Sequence, residues 1–246
     1  MKNISLLLSL LIVFSFSYAK KKKGDNTLTK EEKKEGWVLL FDGESTDQWR
    51  GYGKDEFPKG WIIEDGALKC NGSGRGEAGA KDGGDIITKK QYQNFELTLE
   101  WKISEGGNSG IFILGQEVEG EPIYMSSPEM QILDNERHAD AKLGKDNNRQ
   151  AGSLYDMIPA VPQNAKPAGK SWNKVVITVY KGTVIYNQND KNVVEYHLWT
   201  DEWKKMVADS KFKDWPNFAD PASKGYIGLQ DHGDDVWFKN IKIKEL

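Results

Sequence analysis

An all-β sandwich or barrel is the fold class this sequence dictates, and three patterns carry it. Apolar and polar residues alternate in short runs. The most complete is Phe95 to Ile103, where five apolar residues share one side and Glu96, Thr98, Glu100 and Lys102 the other. Turn signals such as Asp42-Gly43 and Asp65-Gly66 separate the runs. A chain of 246 residues, less a leader, suits one all-β domain, which commonly reaches about 200–250 residues and buries a large core.

The first nineteen residues have the layout of a secretory signal peptide. Lys2 precedes an apolar run from Ile4 to Phe16, and Ser17-Tyr18-Ala19 supplies small residues for cleavage. The run is short for a membrane span, and no Cys near its end offers a lipid attachment point. An exported protein without a membrane anchor, periplasmic or extracellular, is expected. Removing the leader takes away one Lys and no acid, so the formal charge moves from −3 to −4, which gives no reason to expect nucleic acid as a partner. Cys70 is the only cysteine and cannot form an intramolecular disulfide; it reads as a small strand residue.

Residues 20–35 form a spacer and a short helix. Lys20 to Asn26 lacks apolar periodicity, and Thr29-Lys30-Glu31-Glu32 has the form of a capping box opening a helix that Gly36 ends. Residues 36–246 form the β domain. Trp37 to Phe41 reads as a strand, and Trp61 to Glu64 with Ala67 to Cys70 reads as a hairpin about Asp65-Gly66. Asn71 to Gly84 is Gly-rich and reads as a long loop. Further strands are expected at Gly110 to Leu114, Glu129 to Leu133, Trp172 to Tyr180, Thr183 to Asn187, Tyr226 to Gln230 and Val236 to Ile243. One helix interrupts them at Thr200 to Ser210, where Trp203, Met206 and Val207 fall at helical spacing.

Chemistry concentrates on Glu129-Met130-Gln131-Ile132-Leu133-Asp134. As a strand, it turns Met130 and Ile132 to one face and Glu129, Gln131 and Leu133 to the other. A carboxylate and an amide two residues apart suit a sugar-facing surface, or simply a solvated sheet face. Same-face neighbours lie about 6.6–6.8 Å apart, within the ~6.5–9.5 Å separation of inverting glycosidase carboxylates. Position 131 holds Gln, which is neither nucleophile nor base. Asp134 lies roughly 17 Å from Glu129 in an extended strand and on the opposite face, which leaves Glu100 as the candidate partner if its strand lies alongside. Asn108, in Gly106 to Gly110, either binds hydroxyls or holds a turn. Asp134, His138 and Asp140 offer oxygen and imidazole ligands for a divalent cation, or form an ordinary charged loop. His232, in Gln230-Asp231-His232-Gly233-Asp234-Asp235, stands at a strand end among carboxylates and suits proton transfer. His197 has no such company. No phosphate-binding Gly-rich loop and no Gly-x-Ser-x-Gly elbow occurs.

Several of these segments occur together and in a fixed order: Gly36-Trp37, Leu40-Phe41-Asp42-Gly43, Gly107-Asn108-Ser109-Gly110-Ile111-Phe112, Glu129 to Asp134, Trp172-Asn173, Gly228 to Gly233 and Trp237 to Lys242. In this set the chain resembles the 3-keto-disaccharide hydrolase family over roughly residues 30 to 246. The resemblance implies a concanavalin-A-like jelly roll, two antiparallel sheets with a concave sugar-binding face. It implies a small carbohydrate substrate already oxidised at C3, and it carries Asn108, Glu129, Gln131 and His232 over as site positions. Many members have Arg near the end of the Asn-Ser-Gly strand, where this chain has Leu114.

A C3 ketone also accounts for the absent second carboxylate. It acidifies the hydrogen on C2, and the glycosidic oxygen on C1 is then a β leaving group. One base and one acid suffice for elimination, and water adds back afterwards. Glu129 and His232 would share those roles, Gln131, Asn108 and Glu100 would bind substrate, and a cation at Asp134, His138 and Asp140 would be an added electrophile. A non-catalytic carbohydrate-binding module and a conventional glucanase with a second carboxylate are the competing classes.

Overall fold

The computed structural model describes residues 24–74 and 79–246. The expected leader at 1–19 and residues 20–23 of the spacer lie outside them. Two antiparallel sheets pack face to face, as the alternating runs require. Strands β1 (Val38–Leu39), β2 (Trp49–Gly51), β3 (Trp61–Glu64), β4 (Ala67–Cys70), β5 (Ile86–Thr88), β6 (Phe95–Ile103) and β7 (Asn108–Gly115) come first. They are followed by β8 (Glu129–Leu133), β9 (Asn173–Tyr180), β10 (Thr183–Gln188), β11 (Lys191–His197), β12 (Tyr226–Leu229) and β13 (Val236–Glu245). The larger sheet runs β11-β10-β9-β6-β13-β4-β3, with β1 paired to β13; the smaller runs β2-β5-β12-β7-β8.

Local signals placed most of these elements. Helix α1 (Lys30–Lys34) carries both halves of the Thr29/Glu32 capping box. The β3–β4 hairpin pairs Glu64 with Ala67 across a turn in which Asp65 adopts a φ of 53°. Helix α2 (Asp201–Ala208) is capped by the Thr200 side chain and buries Trp203 and Val207. Cys70 is fully buried in β4, and burial pushes its thiol pKa up, as expected of a packed, inert cysteine. Strand β11 and three shorter features, β2, β5 and helix α3 (Pro216–Ala219), were not read from the sequence. Val38–Leu39 is all that forms of the expected Trp37 to Phe41 strand.

The end of the spacer is fixed. Asn26 is buried and exchanges two hydrogen bonds with Asn240, N to Oδ1 at 2.6 Å and back at 2.7 Å. Asn240 adopts a φ of 54° where the β13–β6 register shifts, so the N-terminal segment fills the ladder gap at that bulge. Among the described residues no helix is long and apolar enough to cross a membrane.

The core lies between the sheets. Phe95, Leu97, Leu99, Trp101 and Ile103 of β6 face Ile111 and Ile113 of β7 and Met130 and Ile132 of β8. Every residue of β7 and β8 is buried, on both faces. Loops, α3 and a 3-10 turn at Ile123–Met125 cover the outer face of the smaller sheet, and the candidate site lies between that face and its cover.

Candidate functional site

A cavity of about 740 Å³ opens on the smaller sheet, within the ~300–1,000 Å³ range of small-ligand sites. Its floor comes from neighbouring strands. Phe112 of β7 pairs with Glu129 of β8, and Gly110 with Gln131. The Glu129 side chain lies across Gly110, where any Cβ would collide with its carboxylate, and this accounts for glycine at that position. Gln131 Oε1 accepts the Ile132 N–H at 3.0 Å, and among the described residues the side-chain NH2 has no hydrogen-bond acceptor. Asn108 Oδ1, Ser127 Oγ and Gln230 Oε1 are buried with no hydrogen-bond partner among the described residues, and all three residues line the cavity. Buried acceptors in that state are costly unless a ligand or water engages them.

Burial dominates the electrostatics of the floor. It raises the Glu129 pKa to about 8, with Asp85 and Asp140 adding to the rise and Lys211 opposing it. Asp85, also on the wall, is pushed to about 7 by burial, and its Oδ1 accepts the Asp231 N–H at 2.8 Å. Asp231 serves the scaffold: its carboxylate takes the N–H groups of Ala80, Gly84 and Gly233 at 2.7–3.0 Å and so holds the Gly-rich loop against the cavity. A side chain at Gly83 would strike that carboxylate.

The remaining walls come from distant segments. His232 lines the cavity and meets His138 edge-on, ring centroids 6.3 Å apart. Tyr155 donates its hydroxyl to Asp140 at 2.9 Å, and Arg149 Nη1 holds the other Asp140 oxygen at 2.7 Å. Lys211 lies over the Tyr155 ring. Tyr124, Phe212, Trp215 and Phe218 build an aromatic side, with Tyr124 and Trp215 rings 5.6 Å apart and Phe212 and Phe218 4.4 Å apart.

The structure therefore brings Asn108, Glu129, Gln131 and His232 to one cavity. Two expectations are corrected. Glu100 sits on the outer face of the larger sheet, where β6 pairs with β9 and β13, never with β8, and it accepts the Asn240 side chain at 2.8 Å. It takes no part in the cavity. Asp134, His138 and Asp140 do not converge on a metal position. Burial works against the Asp134 charge, but N–H groups of Gly106 and Glu136 and the Arg137 guanidinium hold its pKa below the usual value. His138 Nδ1 accepts the Asp140 N–H, and Asp140 belongs to Tyr155 and Arg149. Among the described residues no group of three or more His, Cys, Asp or Glu is placed to hold a metal ion. Leu114 is buried in the core at a φ of 56°, away from the cavity.

Asp85, Tyr155, Lys211 and the aromatic side were missed. Phe212, Trp215 and Phe218 recur every third residue, a helical spacing that signals an apolar stripe. Nothing local marks Asp85 or Lys211.

Two antiparallel sheets with a polar-floored, aromatic-sided cleft on the smaller one define a jelly-roll sandwich of the lectin- and glucanase-like class. The chain belongs to the family of 3-keto-alpha-glucoside-1,2-lyase-like domains, whose model matches residues 36–244. It is 57% identical, over 230 residues, to a 3-keto-disaccharide hydrolase of Bacteroides thetaiotaomicron, covering 86% of this chain and 79% of that protein. Two crystal structures from Parabacteroides distasonis, both described as candidate glycosyl hydrolases, share the fold. One has a TM-score of 0.79 at 30% identity, covering 90% of this chain and 99% of the other. The second has a TM-score of 0.66 at 27% identity, covering 85% and 99%.

Proposed function

We propose that this protein is an exported enzyme that cleaves 3-keto-glycosides, 3-keto-disaccharides among them, by proton abstraction at C2. The observation that carries the reading is Glu129, a buried carboxyl on the cavity floor with a pKa raised to about 8. An ordinary carboxylate is a weak base, and one tuned toward the working pH is far better suited to removing a proton α to a ketone. The name and 57% identity of the Bacteroides relative support the substrate class.

In this reading Glu129 takes the C2 proton, and the C2–H electrons form an enolate with the C3 carbonyl. The enolate collapses to restore the ketone, a C1–C2 double bond forms, and the C1–O bond breaks. His232 protonates the departing oxygen. Water then adds to C1 and a proton returns to C2, so the net change is hydrolysis. Asn108 and the Gln131 amide hold the sugar hydroxyls. Cleavage in deuterated water tests the sequence of steps: deuterium at C2 of the product supports it, and a product with only protium there points to direct hydrolysis.

One observation favours a second reading. Asp85 gives the cavity the second carboxyl that Glu100 does not supply. A conventional two-carboxylate glycosidase would cleave unoxidised glucosides and lose that activity in Asp85→Asn. Assaying a glucoside beside its 3-keto counterpart separates the two readings.

A further inference from the structure

Abstraction of the C2 proton puts negative charge on the C3 oxygen, and a site that accelerates this step needs a donor or cation aimed at that oxygen. Among the described residues, the cavity wall carries one Lys or Arg, Lys211. It stands between α2 and α3, with its Nζ 4.1 Å from the centre of the Tyr155 ring. Its nearest ion-pair partner is Asp156 Oδ2 at 3.8 Å, too long for a hydrogen bond. Asp156 is instead committed to Arg149 Nε through Oδ1 at 2.5 Å. No hydrogen bond from Lys211 Nζ to a protein acceptor occurs among the described residues, so an ammonium with three donors faces the cavity without using them.

We propose that Lys211 is a catalytic residue of this site, whose ammonium hydrogen-bonds the C3 carbonyl oxygen of a bound 3-keto sugar and carries the enolate charge formed when Glu129 takes the C2 proton, a role that rests on the 3-keto reading above. The balance is complete without a further reactant. The C2–H pair becomes the C2–C3 π bond, the carbonyl π pair moves to oxygen, Glu129 holds the proton, and Lys211 keeps its own. Gln131 and Asn108 offer only neutral donors, and a hydrogen bond from a cation to an anionic oxygen is roughly twice as strong.

The charges around the lysine also couple it to the base. Burial and Arg149 disfavour the ammonium, while Asp156, Glu129 and Asp140 favour it, and burial prevails in lowering its pKa. Glu129 in turn faces Lys211, Asp85 and Asp140, and only Lys211 favours its ionised form. Removing the lysine charge therefore moves the base to higher pKa, an effect that a packing role alone does not produce.

The test compares the wild type with Lys211→Met and Lys211→Arg on methyl 3-keto-glucoside in deuterated water. Lys211→Met is expected to lower kcat and C2 exchange by about 10²–10³-fold, the loss typical of an oxyanion donor. KM should change only a few-fold, and the ascending limb of the pH profile should move to higher pH. Lys211→Arg, which keeps the charge, should recover part of the loss. The proposal is overturned if Lys211→Met stays within about threefold of wild type, or if both variants lose activity equally with an unmoved pH profile. A wild type inert toward the ketone sinks the 3-keto reading and this role with it; a wild type that exchanges C2 beside an unimpaired Lys211→Met sinks the role alone.

Discussion

Glu100 and Glu129 occupy equivalent positions in their sheets, each on the strand face turned away from the core, yet their surroundings are opposite. Glu100 lies on the larger sheet, where buried and partly exposed residues alternate along β6. It meets the Asn240 side chain and, at 3.6 Å, Lys239 Nζ, as a half-buried surface group. Glu129 lies on the smaller sheet, whose outer face is roofed by loops and α3, and every residue of β8 is buried. The same residue type is a solubilising group in one sheet and a strongly perturbed acid in the other. A roof that removes water makes that difference.

Activity should show the contrast most strongly. Glu129→Gln keeps shape and removes the base, so turnover of a 3-keto-disaccharide should fall by about 10²–10⁴-fold. Glu100→Gln should leave it within about twofold, since a surface change far from the cavity perturbs little. Equal losses in initial-rate measurements would erase the distinction between the sheets.

Stability against pH comes next. The folded pKa of Glu129, about 8, lies above its ordinary value of 4.5. The folded state therefore holds a proton through that window which the unfolded state releases. Stability from this group is fully present below about pH 4.5 and is lost as pH rises through about 8. Glu129→Gln should thus be more stable than wild type at pH 9 and nearly equal to it at pH 4, by thermal or urea midpoints. A gap that is constant across pH would mean that Glu129 is not buried as an acid.

Gly110→Ala carries a smaller cost. The new methyl would displace the Glu129 carboxylate, and overpacking of this kind costs about 1–3 kcal/mol. Activity should fall with it, and the double variant Gly110→Ala/Glu129→Ala should regain stability relative to the sum of the single changes.

What the sequence made legible follows the range of the interactions involved. The β3–β4 hairpin, β6, β8 and the capping box rest on period and turn chemistry within a few residues, and they form where expected. Strands β2 and β5 have three residues each, too few for a period to show. Asn108, Glu129, Gln131 and His232 share the cavity because β7, β8 and the segment after β12 are neighbours, as the family resemblance implied. Asp85 and Lys211 are brought in by loops whose course is set by packing, with no local pattern to announce it. Glu100 was misplaced for a related reason: alternation tells which face a residue takes, and says nothing about which sheet receives the strand.

The smallest effect concerns ion pairs. Lys174 and Asp190, 3.6 Å apart on the larger sheet, are both exposed, so a double-mutant cycle should give about 0.2–1 kcal/mol of coupling. That coupling should vanish in 1 M salt, where the Debye length is about 3 Å. Arg149 and Asp140, 2.7 Å apart beside the cavity and only 20% and 15% exposed, are far less accessible to screening ions. Their coupling should exceed the surface value and survive the salt. If the two pairs decline together, the roof over the smaller sheet admits solvent freely, and the raised pKa of Glu129 loses its physical cause.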